Sequence, residues 1–149
     1  MARDLKVDID GVRLNVRVGV IVRHSDEVLI EISKIGLNSV VPGGRIKINE
    51  HSSKALAREL KEEMNFELDE NKLKQVKVFE NFFSFDGKDV HEIYFLYEYA
   101  MNESELKSLK LDVNEDNEST YFKFVSTDEL EKYDLLPLAL HDIIKGRMN

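Results

Sequence analysis

Three glutamates, Glu59, Glu62 and Glu63, fall within the stretch RELKEEMN, Arg58 to Asn65. On a helix they share one face, where like charges destabilise it by about 0.2–0.5 kcal/mol per pair. The stretch ends in a helix stop, and negative charge in a last turn opposes the helix dipole at a cost of about 0.3–1 kcal/mol. Close carboxylates are costly without a counter-ion and useful with one. Hard divalent cations take oxygen ligands, and Mg²⁺ combines a few carboxylates with waters and substrate phosphates. The competing reading is a solvated acidic face, since glutamate clusters are common on exposed helices.

The helix that must position these groups is read from about His51 to Met64. Leu56, Leu60 and Met64 recur every four residues with Ser53 and Ala57 beside them, which is a buried stripe. At about 100° per residue, the glutamates fall on an arc next to that stripe and Lys54 and Lys61 on the far side. Ser52 and Ala55 share the glutamate arc and should leave it unobstructed. Asn65 stands where a helix commonly ends in a left-handed residue, a role Asn fills second to Gly.

Upstream, VRLNVRVGVIV puts Val12, Leu14, Val16, Val18, Val20 and Val22 on one face with period two, a strand. RHSDE reads as a turn, VLIEIS as a second strand, and VVPGGR as a loop. Downstream, two aromatic-rich runs flank Asp86-Gly87 and predict a hairpin. ESELKSLKLDVNEDNES reads as a short helical turn and an acidic surface loop, and TYFKFV as a strand. STDELEKY starts a helix capped by Ser126 or Thr127, and LPLALHDIIKG forms a terminal helix with Pro137 early and Gly146 after its end. This order predicts an α/β fold with helices packed on a mostly antiparallel or mixed sheet.

The 149 residues suggest one domain, residues 1–149, large enough to bury a core. A net charge of -8 weighs against a nucleic-acid polymer or an anionic membrane as partner. A polyanionic small molecule stays open, because a bound cation inverts the local sign. With no cysteine there is no thiolate metal site and no thiol nucleophile. The N-terminus carries no apolar signal region and no stretch is long enough for a membrane span, so a cytoplasmic protein is expected.

Gly44 is followed by five residues and Glu50, then by seven residues and RELKEEMNF, Arg58 to Phe66. This resembles the signature of the Nudix hydrolases at Gly44, Glu50, Arg58, Glu59, Leu60, Glu62 and Glu63. It departs at Asn65, where the family has Gly, and at Phe66, where an aliphatic residue is usual. The resemblance implies a Nudix-type α/β/α sandwich, a mixed sheet packed between helices. It implies Mg²⁺ or Mn²⁺ at Glu59, Glu62 and Glu63, assisted by the Gly44 carbonyl. Arg58 would act structurally, paired with Glu62 or Glu50. The implied reaction is attack of water on a diphosphate linkage in a nucleoside diphosphate derivative, such as a nucleoside triphosphate or an oxidised nucleotide. Glu62 is the first choice of general base and Glu63 the second. A further ligand is expected from a downstream loop, Glu118 first and Glu98 behind it. The family also implies a small nucleotide as partner, and self-association as a homodimer is in keeping with it.

Most aromatic residues of the hairpin should be core, with Phe82 and Phe83 the candidates for stacking on a base. The proline that ADP-ribose hydrolases carry past the box is missing, since none occurs between Pro42 and Pro137. His91 is read as a strand residue facing solvent or packed beside the sheet. The alternative function is a Nudix-fold nucleotide-binding or sensing module without turnover. A third is an acidic-faced interaction protein, which metal-dependent thermal stabilisation would exclude.

Overall fold

The computed structural model describes residues 2–36 and 38–146. Its spine is β2 (Val12–His24), whose alternating residues supply both faces of a mixed sheet. β2 runs parallel to β7 (Lys88–Ala100) along almost its full length. Its other edge is shared in turn by β1 (Lys6–Ile9), β5 (Gly43–Arg45) and β3 (Glu27–Ser33), all antiparallel. β3 also carries β4 (Ser39–Val40) and β8 (Thr120–Ser126). β6 (Lys74–Phe85) lies outside β7, joined to it through Asp86 and Gly87, both at positive φ. Two successive positive φ values match the twist of a tight hairpin.

Each face of the sheet has its own core. Val18, Val20 and Val22 pack with Leu29, Tyr97 and Tyr99 against Leu56, Leu60 and Met64 of α1 (Ser52–Met64). On the opposite face Ile21, Val28, Ile30 and Leu96 meet Leu130, Leu135, Leu140 and Ile144. Leu130 belongs to a 3₁₀ segment, Thr127–Tyr133, and the last two of these to the terminal helix (Ala139–Ile144). Helical segments thus cover both faces, the expected α/β/α sandwich. Burying each such side chain is worth about 1.5–3 kcal/mol.

α1 begins at Ser52 because the His51 side chain accepts the Ser53 N–H, and it ends at Asn65, φ 53° and ψ 37°. The departure from Gly at Asn65 therefore keeps the left-handed helix end. STDELEKY forms a 3₁₀ segment rather than the start of an α-helix, with Ser126 as its cap. VVPGGR, expected as a loop, contributes two very short strands, which carry too few residues for any period to register. β1 was not foreseen either, since its Val7 and Ile9 are half-exposed and pair only with the end of β2. No helix among the described residues is long and apolar enough to cross a membrane.

Candidate active site

α1 faces β5, and that contact organises the site. Arg58 reaches across it as a fork: Nε donates to Glu50 Oε2 at 2.8 Å and Nη2 to Glu50 Oε1 at 3.0 Å. Nη2 also donates to the Arg45 carbonyl at 3.1 Å, and Nη1 to Glu59 Oε1 at 3.0 Å. Glu62 lies at the edge of its reach, 3.5 Å away. Of the two partners expected for Arg58, Glu50 is the bidentate one. The guanidinium holds the Glu50 carboxyl below the usual carboxylate range. Arg58→Ala would remove the cation held by Glu50 and Glu59, leaving Glu50 the Lys47 N–H at 2.9 Å. We expect a stability loss of about 2–3 kcal/mol, below the ~3–5 kcal/mol of fully buried pairs because both side chains keep some solvent. Urea denaturation reads this directly, and Arg58→Lys should not restore it, since lysine lacks the fork.

Gly44 has no room for a side chain: a Cβ there would lie 2.4 Å from the Glu59 carboxyl carbon. Gly43, at φ +154°, packs as closely against the Val18 carbonyl. These glycines let the Glu59 carboxylate rest directly on β5.

The glutamate arc is not unobstructed. Ala55 is fully buried, the Ser52 hydroxyl hydrogen-bonds the Tyr97 hydroxyl at 2.6 Å, and Glu63 is only 7% exposed. α1 packs on both β2 and β5, and a helical wheel cannot show that second contact. Glu63 Oε2 accepts from the Asn114 amide at 3.1 Å, and its Oε1 has no partner among the described residues. Burial, and then the charge of Glu31, push Glu63 up to about 8. Burial also raises Glu59, against the pull of Arg58.

Asn114 is fully buried and its amide also donates to Glu31 Oε2 at 2.9 Å, while its carbonyl accepts the Asp116 N–H at 2.8 Å. The loop is tied to α1 by the Glu115 N–H on the Glu63 carbonyl at 2.9 Å. Together these contacts aim Asp116 at α1. One carboxylate oxygen each from Glu59, Glu62 and Asp116 lie within 4.8 Å of one another. An unmatched buried carboxylate oxygen costs about 1–3 kcal/mol or more. The donor set is all oxygen, as hard divalent cations require. The residues present therefore fit a hard divalent cation.

A family model described as the NUDIX domain matches residues 13–144. The chain belongs to the NUDIX family. Its structure is similar to a MutT protein from Bacillus halodurans, with a TM-score of 0.68 and 20% identity over 88% of this chain and 80% of that one. A MutT NUDIX hydrolase from Burkholderia pseudomallei gives 0.64 and 16% identity, covering 91% and 98%. An Ap4A hydrolase from C. elegans gives 0.60 and 17%, covering 88% and 93%. These likenesses show a shared fold. No curated protein matches the chain by sequence.

Within this NUDIX fold the structure gathers Gly44, Glu50, Arg58, Glu59, Glu62 and Glu63, and it places the other candidates elsewhere. Asp116, not Glu118, joins Glu59 and Glu62; Glu118 is exposed in the turn before β8. Glu98 is held by Arg23 at 2.7 Å. Phe82 and Phe83 alternate on edge strand β6, and the open hollow they both border, with Val12 and Val90, lies at the hairpin end of the sheet and includes none of the carboxylates. Phe82, 66% exposed, packs on His91 four positions along the strands from the Val18–Gly44 level, about 13 Å away. His91 also pairs with Glu80 at 2.9 Å. Glu31 and Asn114 were not foreseen. Glu31 has no sequence neighbour that marks it, and Asn114, like Asp116, lay in the acidic run read as a surface loop, whose fully buried Asn114 nothing in the sequence distinguishes.

Proposed function

We propose that this chain, acting as a single domain, is a metal-dependent pyrophosphohydrolase of nucleoside diphosphate derivatives. NUDIX family members are pyrophosphohydrolases acting on such compounds. The observation that carries the reading to this chain is the convergence of the Glu59, Glu62 and Asp116 oxygens, one helical turn from the buried Glu63.

A divalent cation would be held by Glu59, Glu62, Glu63 and Asp116, with the Gly44 carbonyl assisting, and would neutralise phosphate charge and acidify water there. The remaining work falls to the protein. Arg58, braced by Glu50, ties the second turn of the helix to the Arg45 carbonyl of β5, so the Glu59 carboxylate is held before substrate arrives. Asn114 positions Glu63 and, through the Asp116 N–H, the loop. Glu62 is the most open of the three helix carboxylates, at 41% side-chain exposure. It would take the proton of the attacking water as the new P–O bond forms and the bridging P–O bond breaks, a role its exposure supports. Glu63 is the second candidate for that proton.

The test is release of phosphate or pyrophosphate from nucleoside triphosphates, 8-oxo-dGTP, ADP-ribose, NADH, diadenosine polyphosphates and nucleotide sugars, with Mg²⁺ and with Mn²⁺. Turnover that disappears on chelation supports the reading. Metal-dependent nucleotide binding without turnover on any of them would favour a sensing module instead.

A further inference from the structure

Arg17 lies in the middle of β2, between Val16 and Val18. Those two valines pack on the α1 side, so strand alternation turns Arg17 to the opposite face. There it stands level with Tyr94 on β7 and with Arg45 on β5.

The other arginines on these strands are matched. Arg13 pairs with Asp8 at 2.9 Å, Arg23 with Glu98 at 2.7 Å, and Arg45 donates to the Asn15 amide oxygen at 2.8 Å. Arg17 is half-buried yet has no hydrogen-bond acceptor or ion-pair partner among the described residues. A guanidinium carries five donors, and a partly desolvated one with none of them met is unfavourable by itself.

Tyr94 is a second, independent observation. It is 4% exposed, and its ring is fixed by stacking on Phe79, with centroids 5.0 Å apart and planes at 17°. Its hydroxyl stands over Gly19, where an added Cβ would lie 2.1 Å away. That hydroxyl also has no partner among the described residues. Two unmatched donors, one of them cationic, thus stand side by side.

Their place relative to the carboxylates gives them a use. Arg17 is one residue from Val18, whose partner on β5 is Gly44, the residue on which the Glu59 carboxylate rests. On the adjoining strand Gly44 lies level with Val18, and the space a side chain would take there is filled by the Glu59 carboxylate. The anion that suits this arrangement has several oxygens and spans from the cation-binding carboxylates to a guanidinium fork. A phosphoanhydride meets both demands, since guanidinium pairs bidentately with phosphate.

We propose that Arg17 and the Tyr94 hydroxyl bind the substrate phosphate lying beyond the carboxylate cluster. The diphosphate chain then runs from Glu59, Glu62 and Asp116 past Gly44 to Arg17, one residue along β2 from the Gly44 level. This rests on the diphosphate reading above and assigns it a second anchoring point.

Calorimetric binding of inorganic pyrophosphate and of ADP, at saturating Mg²⁺, tests it on the wild type, Arg17→Ala, Arg17→Lys and Tyr94→Phe. Arg17→Ala should weaken both ligands by about tenfold to a hundredfold, the range of a charge-assisted hydrogen bond. Arg17→Lys should recover part of the loss, and Tyr94→Phe should lose about tenfold or less. Affinity for Mg²⁺ alone should not fall in Arg17→Ala, because a competing cation has been removed. That readout separates a phosphate contact from a structural role, which would weaken metal and phosphate together. Arg17→Ala that binds both ligands within about twofold of wild type, or loses Mg²⁺ in parallel, overturns the proposal. If the wild type binds neither pyrophosphate nor ADP, the diphosphate reading itself fails.

Discussion

Glu62→Gln is expected to lower metal-dependent turnover by about 10²–10⁴-fold, the usual contribution of a positioned proton acceptor. The fold should barely respond. Glu62 is half-exposed and its hydrogen-bonding contact among the described residues is the 3.5 Å approach of Arg58, so the melting curve should stay within about 0.5 kcal/mol of wild type. A loss confined to kcat, with substrate affinity kept, fits a group needed in the transition state. Glu63→Gln run beside it decides between the two candidate bases. If Glu62→Gln keeps turnover within about tenfold of wild type while Glu63→Gln abolishes it, the proton belongs to Glu63. Rates from single turnovers, where product release does not interfere, are the measurement to compare.

The metal-free protein should lose stability as pH rises from about 5 to about 8, and Mg²⁺ should restore it most at the alkaline end. The reason is Glu63, whose folded-state value is raised to about 8 from an ordinary 4.5 by burial and by Glu31. A carboxyl raised on folding contributes stability that is fully present below its unfolded pKa and lost as pH climbs through the folded one. The effect is on the order of a few kcal/mol. Glu59 shifts in the same direction. Glu50 shifts the opposite way, so its contribution appears above its unfolded pKa and is lost only in more acidic solution. The two windows therefore do not overlap. Thermal melts in EDTA and in Mg²⁺, between about pH 5.5 and 8.5, should diverge with rising pH. Glu63→Gln should flatten the metal-free curve and exceed the wild type in stability at its alkaline end. An Mg²⁺ stabilisation that stays constant across that range would count against a cation at Glu63.

The strands and helix that carry the site were legible because each is long enough for a period to show. β2 repeats its valines for over ten residues, and α1 repeats its leucines through three turns. The NUDIX box was legible for another reason: Gly44, Glu50, Arg58 and the glutamates keep fixed spacing on a single turn-and-helix unit, whose geometry is local. Asn65 shows how far such reasoning reaches, since a left-handed position can be read from one residue type.

What the chain brings in from a distance was not legible. Asp116 and Glu118 stand two residues apart in one acidic run, and only the hydrogen bonds of Asn114 decide which of them turns toward α1. Glu98 looked available until Arg23, far away in sequence, proved to hold it. Phe82 and Phe83 follow each other, so one strand separates them to opposite faces. By itself the sequence determined the family, the helix that holds the carboxylates, and the arginine and glycine that brace them, because those depend on neighbours within a few turns. Only the tertiary structure decided that Glu63 is buried against Glu31, that Asp116 completes the group, and that Arg17 and Tyr94 stand unmatched on the far face. Those facts depend on which strands pair and which surfaces pack, and that is set by the burial of the whole sheet rather than by any local pattern.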